Sequence, residues 1–270
     1  MAASSSSAIS VAKEGDGVAI VTFAKEPVNT MDLSFWKELL VVLESLEADK
    51  EIRGLVFQSG LKRSVYTAGL DIKELYRHTT SQERQLEFWT AMSKALIKIY
   101  STPMVTAAAI KGACPAGGCG LALCCDYRVI SEDGSMGLNE SQLGILVPPY
   151  WTELFASVVG NHRAELLLEP GDLVPAARLV PTGLADAVVP SAGDVLPAAL
   201  AEVRRWLKVP DGGRVKTKQL LRGRLAERWA AGIEEEAAII WAATCDPVAT
   251  ASLAKVMERL SGKPAPKAKL

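Results

Sequence analysis

The sequence predicts an α/β fold with an all-helical C-terminal region. Apolar, strand-like runs alternate with amphipathic helical segments through the first half, a glycine-rich turn follows the third such run, and from about Val195 the pattern is helical only. Strands that alternate with helices favour parallel pairing through crossover helices. The 270 residues are 49% hydrophobic and 23% charged, an ordinary balance for a globular protein with a sizeable core.

Three segments carry the strand pattern. Residues 17–24 (GVAIVTFA) begin the series, residues 52–60 (IRGLVFQSG) are apolar enough for a buried strand, and residues 103–110 (PMVTAAAI) run directly into the glycine-rich turn. Short apolar runs of this kind are typical of strands in a parallel sheet that is covered on both faces.

Two predicted helices separate these strands. Residues 31–49 have apolar residues at helical spacing, with Asp32 or Ser34 placed to cap the start. Residues 81–100 show charged and apolar faces after a capping Ser81. Each helix is therefore expected to connect one strand to the next parallel strand.

The C-terminal region shows helical periodicity in residues 195–209, 223–244 and 247–260, with no strand pattern between them. Its large apolar anchors are Trp206, Trp229 and Trp241. Because such side chains are rarely left in water, we expect this region to pack on the core or on another subunit.

Composition bears on several classes of partner. The 30 Lys and Arg residues nearly balance the 31 Asp and Glu residues, so the formal charge of −1 predicts no general attraction to nucleic acid. No apolar stretch reaches the ~18 residues typical of a membrane span, so none is expected. Five cysteines, an odd number, argue against a secreted disulfide framework.

Four of the cysteines lie in residues 112–129 (GACPAGGCGLALCCDYRV). They lack the paired CxxC arrangement of a structural zinc site, so we expect buried, small apolar side chains, and no metal or other cofactor. The only histidines, His78 and His162, are expected at the surface, away from these cysteines. A cysteine nucleophile activated by histidine is therefore not predicted.

The glycines of the same segment indicate a different use. A strand followed by Gly112, Gly117 and Gly118 and then an apolar helix leaves backbone N–H groups free at a helix start, where they can hold an anion or a developing oxyanion. A second loop of this kind, residues 64–75, places Ala68 and Gly69 before a short helix. The alternative is that both loops are ordinary turns.

Glu140 stands alone among apolar and amide residues in the segment GLNESQLGILVPP, residues 137–149. Burial disfavours a charged carboxylate and raises its pKa toward values that suit a general base. The alternative is that Glu140 caps a helix or pairs with Arg128. Residue chemistry alone leaves both interpretations open.

The three pieces TAGLDIKEL, GACPAGGC and GLNESQLGI, in this order, resemble the crotonase superfamily of enoyl-CoA hydratases and isomerases. The resemblance implies a crotonase-like spiral of ββα units and a helical trimerisation region, hence a homotrimer that binds an acyl-CoA thioester. We divide the chain into a flexible tail (1–13), a core with the active site (14–194), the helical region (195–262) and a second flexible tail (263–270).

The resemblance also implies the site residues. The N–H groups of Ala68 and Gly117 would form the oxyanion hole for the thioester carbonyl. The loop of Ala68, Gly69, Leu70, Asp71 and Ile72 would contact coenzyme A. Further candidates for contacts with coenzyme A are Pro27, Val28 and Asn29. On charge alone, Lys62 and Arg63 are candidates for contacts with its phosphates, and the alternative is a solvated pair at the surface.

Enoyl-CoA hydratases use two glutamates, and here only Glu140 matches one of them, because the other falls on Gly120. The motifs most closely resemble Δ3,Δ2-enoyl-CoA isomerases, which move a 3-enoyl double bond into conjugation during β-oxidation. The alternatives are a hydratase and a non-catalytic acyl-CoA-binding protein. If Gly120 marks the missing acid, Gly120→Glu is expected to shift activity toward hydration.

The chain ends in Ala268-Lys269-Leu270, which resembles the small-basic-Leu peroxisomal address. A peroxisomal or related microbody location is therefore expected, with the mitochondrial matrix as the alternative.

Overall fold

A computed structural model describes residues 7–261, and its centre is a six-stranded sheet. Nine strands are present in the described part, namely β1 (Ile9–Lys13), β2 (Val18–Phe23), β3 (Gly54–Ser59), β4 (Val105–Ile110), β5 (Ala113–Pro115), β6 (Tyr127–Ser131), β7 (Ser135–Gly137), β8 (Val174–Pro175) and β9 (Ala187–Val189). The main sheet has the order β1-β2-β3-β4-β6-β9. All its pairs are parallel except β1 with β2, which confirms the predicted parallel core.

The remaining strands form a small sheet of order β5-β7-β8. The helices are α1 (Leu33–Ala48), α2 (Gln82–Ser101), α3 (Gly117–Cys124), α4 (Pro149–Val159), α5 (Asn161–Leu168), α6 (Ala176–Thr182), α7 (Val195–Trp206), α8 (Asp211–Ala231), α9 (Ile233–Thr244) and α10 (Pro247–Ser261). Because α3 follows β4 and β5 directly, its start lies where the strands of the main sheet end.

Side-chain caps begin the first two helices where the sequence predicts. The Asp32 carboxylate accepts a hydrogen bond from the N–H of Phe35 at 2.9 Å, and the Ser81 hydroxyl accepts one from Arg84 at 3.2 Å. Each cap satisfies a backbone N–H that the first helical turn leaves free.

Alternate residues of the strands face opposite sides of the sheet. Val18, Val56 and Val105 pack against α7, whereas Phe23 and Phe57 lie in the larger core that also includes α1 and α2. The sheet is therefore covered on both faces, which is why its strands read as continuous apolar runs.

The prediction that residues 1–13 form a flexible tail is wrong for the last five of them. Ile9–Lys13 form β1, which pairs antiparallel with β2 in the register Ile9 to Phe23 and Lys13 to Ala19. Only Ile9 of this strand is buried, so the alternating pattern of a half-buried strand is absent from the sequence. The edge position needs backbone pairing and little apolar surface.

The C-terminal region is helical throughout its described part, but the boundaries differ from those predicted. The segment 223–244 is broken at Gly232, where α8 ends and α9 begins. A side chain at Gly232 would meet the Tyr150 hydroxyl, since an ideal Cβ would lie 2.1 Å from it. Of the anchors, Trp229 is fully buried, while Trp206 and Trp241 are half-buried.

Between Ser7 and Ser261, no single helix is both long and apolar enough to cross a membrane. The two helices α9 and α10 pass that test only together, and the chain bends by 79° between them. The predicted tail of residues 263–270 and the Ala268-Lys269-Leu270 address lie outside the described residues.

Candidate active site

A cavity of about 240 Å³ lies beyond the start of α3. The segment after β2, the loop after β3, the start of α3 and the segment 139–151 form one part of its wall, and α2, α9 and α10 form the rest. Most of the lining side chains are apolar, and Glu140 is a carboxylate among them. The C-terminal helices thus complete a pocket whose carboxylates, Asp71 and Glu140, come from the core.

In the loop after β3, the backbone N–H groups of Ala68 and Gly69 are hydrogen-bonded within the described residues, whereas that of Leu70 is not. The N–H of Ala68 donates to the carbonyl of Val28 at 2.8 Å, and that of Gly69 donates to the Thr67 hydroxyl at 3.0 Å. No acceptor lies within reach of the N–H of Leu70. The expectation that Ala68 offers a free N–H is therefore wrong, and Leu70 is the residue that offers one.

The alternating direction of backbone groups in an extended chain explains why the N–H of Leu70 is unpaired within the described residues while those of its neighbours are paired. Met31 and Leu70 form an isolated parallel bridge, in which the N–H of Met31 donates to Gly69 and its carbonyl accepts from Asp71. Successive residues of an extended chain point their backbone groups to opposite sides. The N–H of Leu70 therefore faces away from Met31.

A second N–H group without a hydrogen-bond partner among residues 7–261 is that of Gly117, the first residue of α3. The residue before it is Ala116, the N-cap of α3. The backbone of Ala116 has φ 48° and ψ −122°, a conformation that residues other than glycine rarely adopt. The ψ angle of Ala116 sets the plane of the next peptide and so aims the N–H of Gly117. Strain of this kind costs of order 1–3 kcal/mol and is common at functional sites.

The two loops are in direct contact. Gly69, with φ 90°, is so close to α3 that a Cβ there would lie 3.5 Å from the Gly117 nitrogen and 3.3 Å from the Ala116 Cβ. A Cβ on Gly117 would in turn lie 2.7 Å from the Leu70 side chain. The glycines permit this close approach, which places Leu70 beside Gly117 at the part of the cavity that Leu70 and Ala116 line.

Glu140 begins a short 3₁₀ helix, Glu140–Leu143, and is 5% exposed. Burial raises the pKa of its carboxyl from the ordinary 4.5 to about 7, because the surroundings disfavour the charged form. Its Oε2 atom is buried and has no hydrogen-bond partner among residues 7–261. One carboxylate oxygen is thus buried at the cavity without a donor facing it, and a hydrogen bond from the backbone of Glu140 offsets only part of the rise in pKa.

The alternative role predicted for Glu140, an ion pair with Arg128, is wrong. The Arg128 guanidinium lies 3.1 Å from the Asp186 carboxylate and donates to the carbonyl groups of Leu184 and Cys125. Nor does the Glu140 side chain cap the 3₁₀ helix.

The space beside Gly120 is filled by an aromatic ring. A Cβ on Gly120 would lie 3.2–3.3 Å from three ring carbons of Trp151, which is fully buried and lines the cavity. A larger side chain at Gly120 therefore requires the indole to move. The sequence shows that residue 120 is a glycine, but it does not show that a side chain from α4 fills the space beside it.

The remaining predicted contact residues separate into two groups. Val28, Ala68, Leu70, Asp71 and Ile72 line the cavity. Pro27, Lys62 and Arg63 are exposed and do not line it, and Asn29 is fully buried.

Asn29 is a structural residue. Its Nδ2 donates to Ser59 Oγ at 3.0 Å and to the Tyr66 carbonyl at 2.9 Å, and its Oδ1 accepts from the N–H of Lys25. With its side chain occupied in this way, Asn29 holds the loops beside the cavity and is not available to a ligand.

The cysteines are placed as predicted. The side chains of Cys114, Cys119, Cys124 and Cys125 are buried, and burial raises the pKa of each thiol above its ordinary value. They are apolar packing groups. Across the described part of the chain, no three His, Cys, Asp or Glu side chains are grouped so that they could hold a metal ion.

Comparisons with known proteins show the family to which the chain belongs. A family profile described as Enoyl-CoA hydratase/isomerase matches residues 13–258. Enoyl-CoA delta isomerase 1, mitochondrial, from Homo sapiens is 38% identical over 216 residues, which are 79% of this chain and 70% of that protein. The protein of the same name from Rattus norvegicus is 37% identical over 80% of this chain and 75% of its own length.

Solved structures show the same fold. The crystal structure of human mitochondrial delta3-delta2-enoyl-CoA isomerase superposes with a TM-score of 0.90 at 34% identity, over 95% of this chain and 99% of that one. An enoyl-CoA hydratase from Bacillus halodurans superposes with a TM-score of 0.84 at 20% identity, over 92% of this chain and 100% of that one. The predicted fold class is confirmed, and the chain belongs to the enoyl-CoA hydratase/isomerase family.

Proposed function

We propose that this protein isomerises 3-enoyl-CoA, cis or trans, to trans-2-enoyl-CoA in the β-oxidation of unsaturated fatty acids. The observation that carries the proposal is the buried Glu140, whose carboxyl has a pKa raised to about 7 and which lines one cavity with the loops of Leu70 and Gly117. A base with a pKa near the working pH suits proton abstraction followed by proton return.

The chemistry begins at C2 of the substrate. This carbon is next to the thioester and is also allylic, so loss of its proton gives a dienolate with charge on the thioester oxygen. We assign the N–H groups of Leu70 and Gly117 as the donors to that oxygen, in place of the Ala68 and Gly117 pair expected from the motifs. A donor of this type stabilises such an oxyanion by about 3 kcal/mol.

Glu140 then completes the reaction. Its carboxylate takes the C2 proton, the double bond moves from C3–C4 to C2–C3, and the neutral acid returns the proton to C4. The oxidation state of the substrate does not change, so this reaction requires no redox cofactor. Coenzyme A enters as part of the substrate.

The predicted alternatives are less well supported. A hydratase of the two-glutamate type needs a second carboxyl, and Gly120 has no side chain while Trp151 fills the adjacent space. A non-catalytic acyl-CoA-binding protein has no need to bury an unpaired carboxyl, which lowers stability. Both alternatives remain outcomes of the assay that follows.

The test is an ultraviolet assay with 3-enoyl-CoA substrates of several chain lengths, with 2-enoyl-CoA in a parallel reaction. We expect the absorbance of a conjugated thioester to appear from 3-enoyl-CoA, and little 3-hydroxyacyl-CoA to form from 2-enoyl-CoA. Rapid hydration of 2-enoyl-CoA would favour the hydratase. Binding of acyl-CoA without any absorbance change would favour the non-catalytic protein.

We also propose that the chain forms a homotrimer through the surface around α8. Leu220 and Leu221 are 82% and 78% exposed, and Leu221 shares a groove with Trp206 and Val209. Large apolar side chains that lie together at a surface are typical of interaction sites. Light scattering should give the mass of three chains for the wild type and a smaller mass for Leu221→Lys, whereas a monomeric wild type would contradict the proposal.

For the location, we propose import into peroxisomes through Ala268-Lys269-Leu270. The human and rat relatives carry the word mitochondrial in their names, which supports the mitochondrial alternative. A fluorescent protein fused ahead of the chain should mark peroxisomes, and removal of the last three residues should abolish that pattern. A mitochondrial pattern for both fusions would contradict peroxisomal import.

A further inference from the structure

Three residues that line the cavity each bury a polar side-chain atom without a hydrogen-bond partner among residues 7–261. These atoms are Asn139 Oδ1, Glu140 Oε2 and Trp151 Nε1. We call them the polar cluster. A buried polar atom without a partner costs about 1–3 kcal/mol, so three of them at one cavity point to a bound group of matching polarity.

The residues of the polar cluster lie on neighbouring elements. Asn139 and Glu140 are consecutive residues at the start of the 3₁₀ helix. Trp151 comes from α4, and an ideal Cβ on Gly120 would lie 3.3 Å from its Cε2, the ring carbon bonded to Nε1. Burial chiefly raises the pKa of the Cys119 thiol, and the charge of Glu140 adds to that rise. The carboxyl and the indole nitrogen therefore both lie beside the first turn of α3.

The polar cluster matches the hydrogen-bonding capacity of one water molecule. The indole Nε1 is a donor, whereas the amide Oδ1 and the carboxylate Oε2 are acceptors. One water can accept from the indole and donate its two hydrogens to the two oxygens, so a single molecule satisfies all three atoms. Buried waters typically make about three such bonds, and the cavity of about 240 Å³ far exceeds the ~15 Å³ that one water needs. A metal ion would face the indole N–H and an anion would face two oxygens, so neither fits.

The same water remains bonded after Glu140 has taken up a proton. The neutral carboxyl then donates to the water oxygen through Oε2–H, and the water donates one hydrogen to Asn139 and the other to Glu140 Oε1. In this arrangement the acid proton can pass to the water while a water proton passes to Oε1. One O–H bond breaks and one forms at each partner, so neither the carboxyl nor the water changes its charge.

We propose that Asn139 and Trp151 are positioning residues that hold one water molecule against Glu140, and that the proton taken from C2 mixes with the two protons of this water before C4 is protonated. The inference rests on the isomerase proposed above and extends it. Glu140 performs both proton transfers, whereas Asn139 and Trp151 act only through the water that they hold.

The experiment is isomerisation of unlabelled 3-enoyl-CoA in D₂O, stopped early, with the deuterium at C4 of the product measured by mass spectrometry and NMR. Complete mixing of one substrate proton with the two deuterons of a held water gives a deuterium fraction of about two thirds in the wild-type product. Trp151→Phe removes the N–H donor and keeps a ring, and Asn139→Leu removes the amide. With a partner lost, the water is held less often, so both variants should lower the deuterium fraction by about two-fold or more.

Trp36→Phe is the matched control. Trp36 is also fully buried and its Nε1 also lacks a partner among the described residues, but it does not line the cavity, so this variant should keep the wild-type deuterium fraction. Little deuterium in the wild-type product, or nearly complete deuteration at C4, would overturn the single held water even if neither variant folds. Equal fractions in the wild type and both variants would overturn the roles of Asn139 and Trp151. Failure of the wild type to form any conjugated product would instead overturn the proposed isomerase.

Discussion

Replacement of Glu140 by glutamine should abolish isomerisation and, at the same time, stabilise the fold in a pH-dependent way. The unfolded chain ionises Glu140 near the ordinary pKa of 4.5, whereas the folded chain keeps it protonated to about pH 7. Below both pKa values the carboxyl is protonated in the folded and in the unfolded chain, so its ionisation does not change the free energy of unfolding. As the pH rises between them, only the unfolded state loses its proton, so wild-type stability falls.

The magnitude follows from the two pKa values. At ~1.4 kcal/mol per pH unit, the span from 4.5 to about 7 corresponds to a loss of about 3 kcal/mol. Glutamine does not ionise, so Glu140→Gln escapes that loss. With ~2 °C per kcal/mol for a chain of this size, its melting temperature relative to the wild type should rise by roughly 6 °C between about pH 4 and about pH 8.

The assay is thermal unfolding of both proteins across this pH range. Glu44→Gln is the control, because Glu44 is exposed on α1 and its replacement should leave the pH dependence unchanged. A constant difference in melting temperature between wild type and Glu140→Gln at every pH would refute the reasoning. So would a Glu140→Gln variant that becomes less stable as the pH rises.

Three further predictions concern the same site. The kcat/KM of the wild type should rise as the pH increases through about 7 and then level off, because Glu140 must be ionised to accept a proton; a flat profile would be inconsistent with this base. In Gly120→Glu the free energy of unfolding, measured with denaturant, should fall by about 1–3 kcal/mol, and no hydratase activity should appear, because Trp151 fills the space beside residue 120. Formation of 3-hydroxyacyl-CoA by this variant without a loss of stability would contradict the prediction. Ala116→Gly should gain about 1 kcal/mol in the same unfolding assay, since glycine relieves the strain of φ 48°; a loss of stability would show that the strain is small.

The structure reverses the expectation stated for Gly120→Glu from the sequence. The motifs identify the position as one where a hydratase carries an acid, and the sequence shows only that the acid is missing. The indole of Trp151, which is 31 residues away along the chain (151 − 120), fills the vacant volume. Packing between helices α3 and α4 is a tertiary property, so no local pattern reveals it.

The sheet and the first helices could be predicted because local signals determine them. The apolar runs of β2, β3 and β4 and the caps at Asp32 and Ser81 are each contained within a few residues. The strand β1 could not be predicted, because it is stabilised mainly by backbone pairing to β2 and buries only Ile9.

The proposed oxyanion donors show what sequence motifs can and cannot predict. The glycine motifs predict two loops that lie in contact in the structure, but the N–H of Ala68 is paired with Val28, and the unpaired N–H of the described loop lies two residues further on, at Leu70. Which N–H remains free depends on the bridge between Met31 and Leu70, two residues 39 positions apart (70 − 31), and hence on tertiary pairing. The burial of Glu140, in contrast, follows from its apolar neighbours, whereas its role as the base comes from the resemblance to the family.

The most direct test of the account is the turnover of a 3-enoyl-CoA by the wild type and by Glu140→Gln, with acyl-CoA binding measured separately for each by calorimetry. We expect conjugated thioester from the wild type, none above background from Glu140→Gln, and similar acyl-CoA affinity for both. Full turnover by Glu140→Gln, or no turnover by the wild type, would contradict the claim that this single carboxylate moves the proton from C2 to C4.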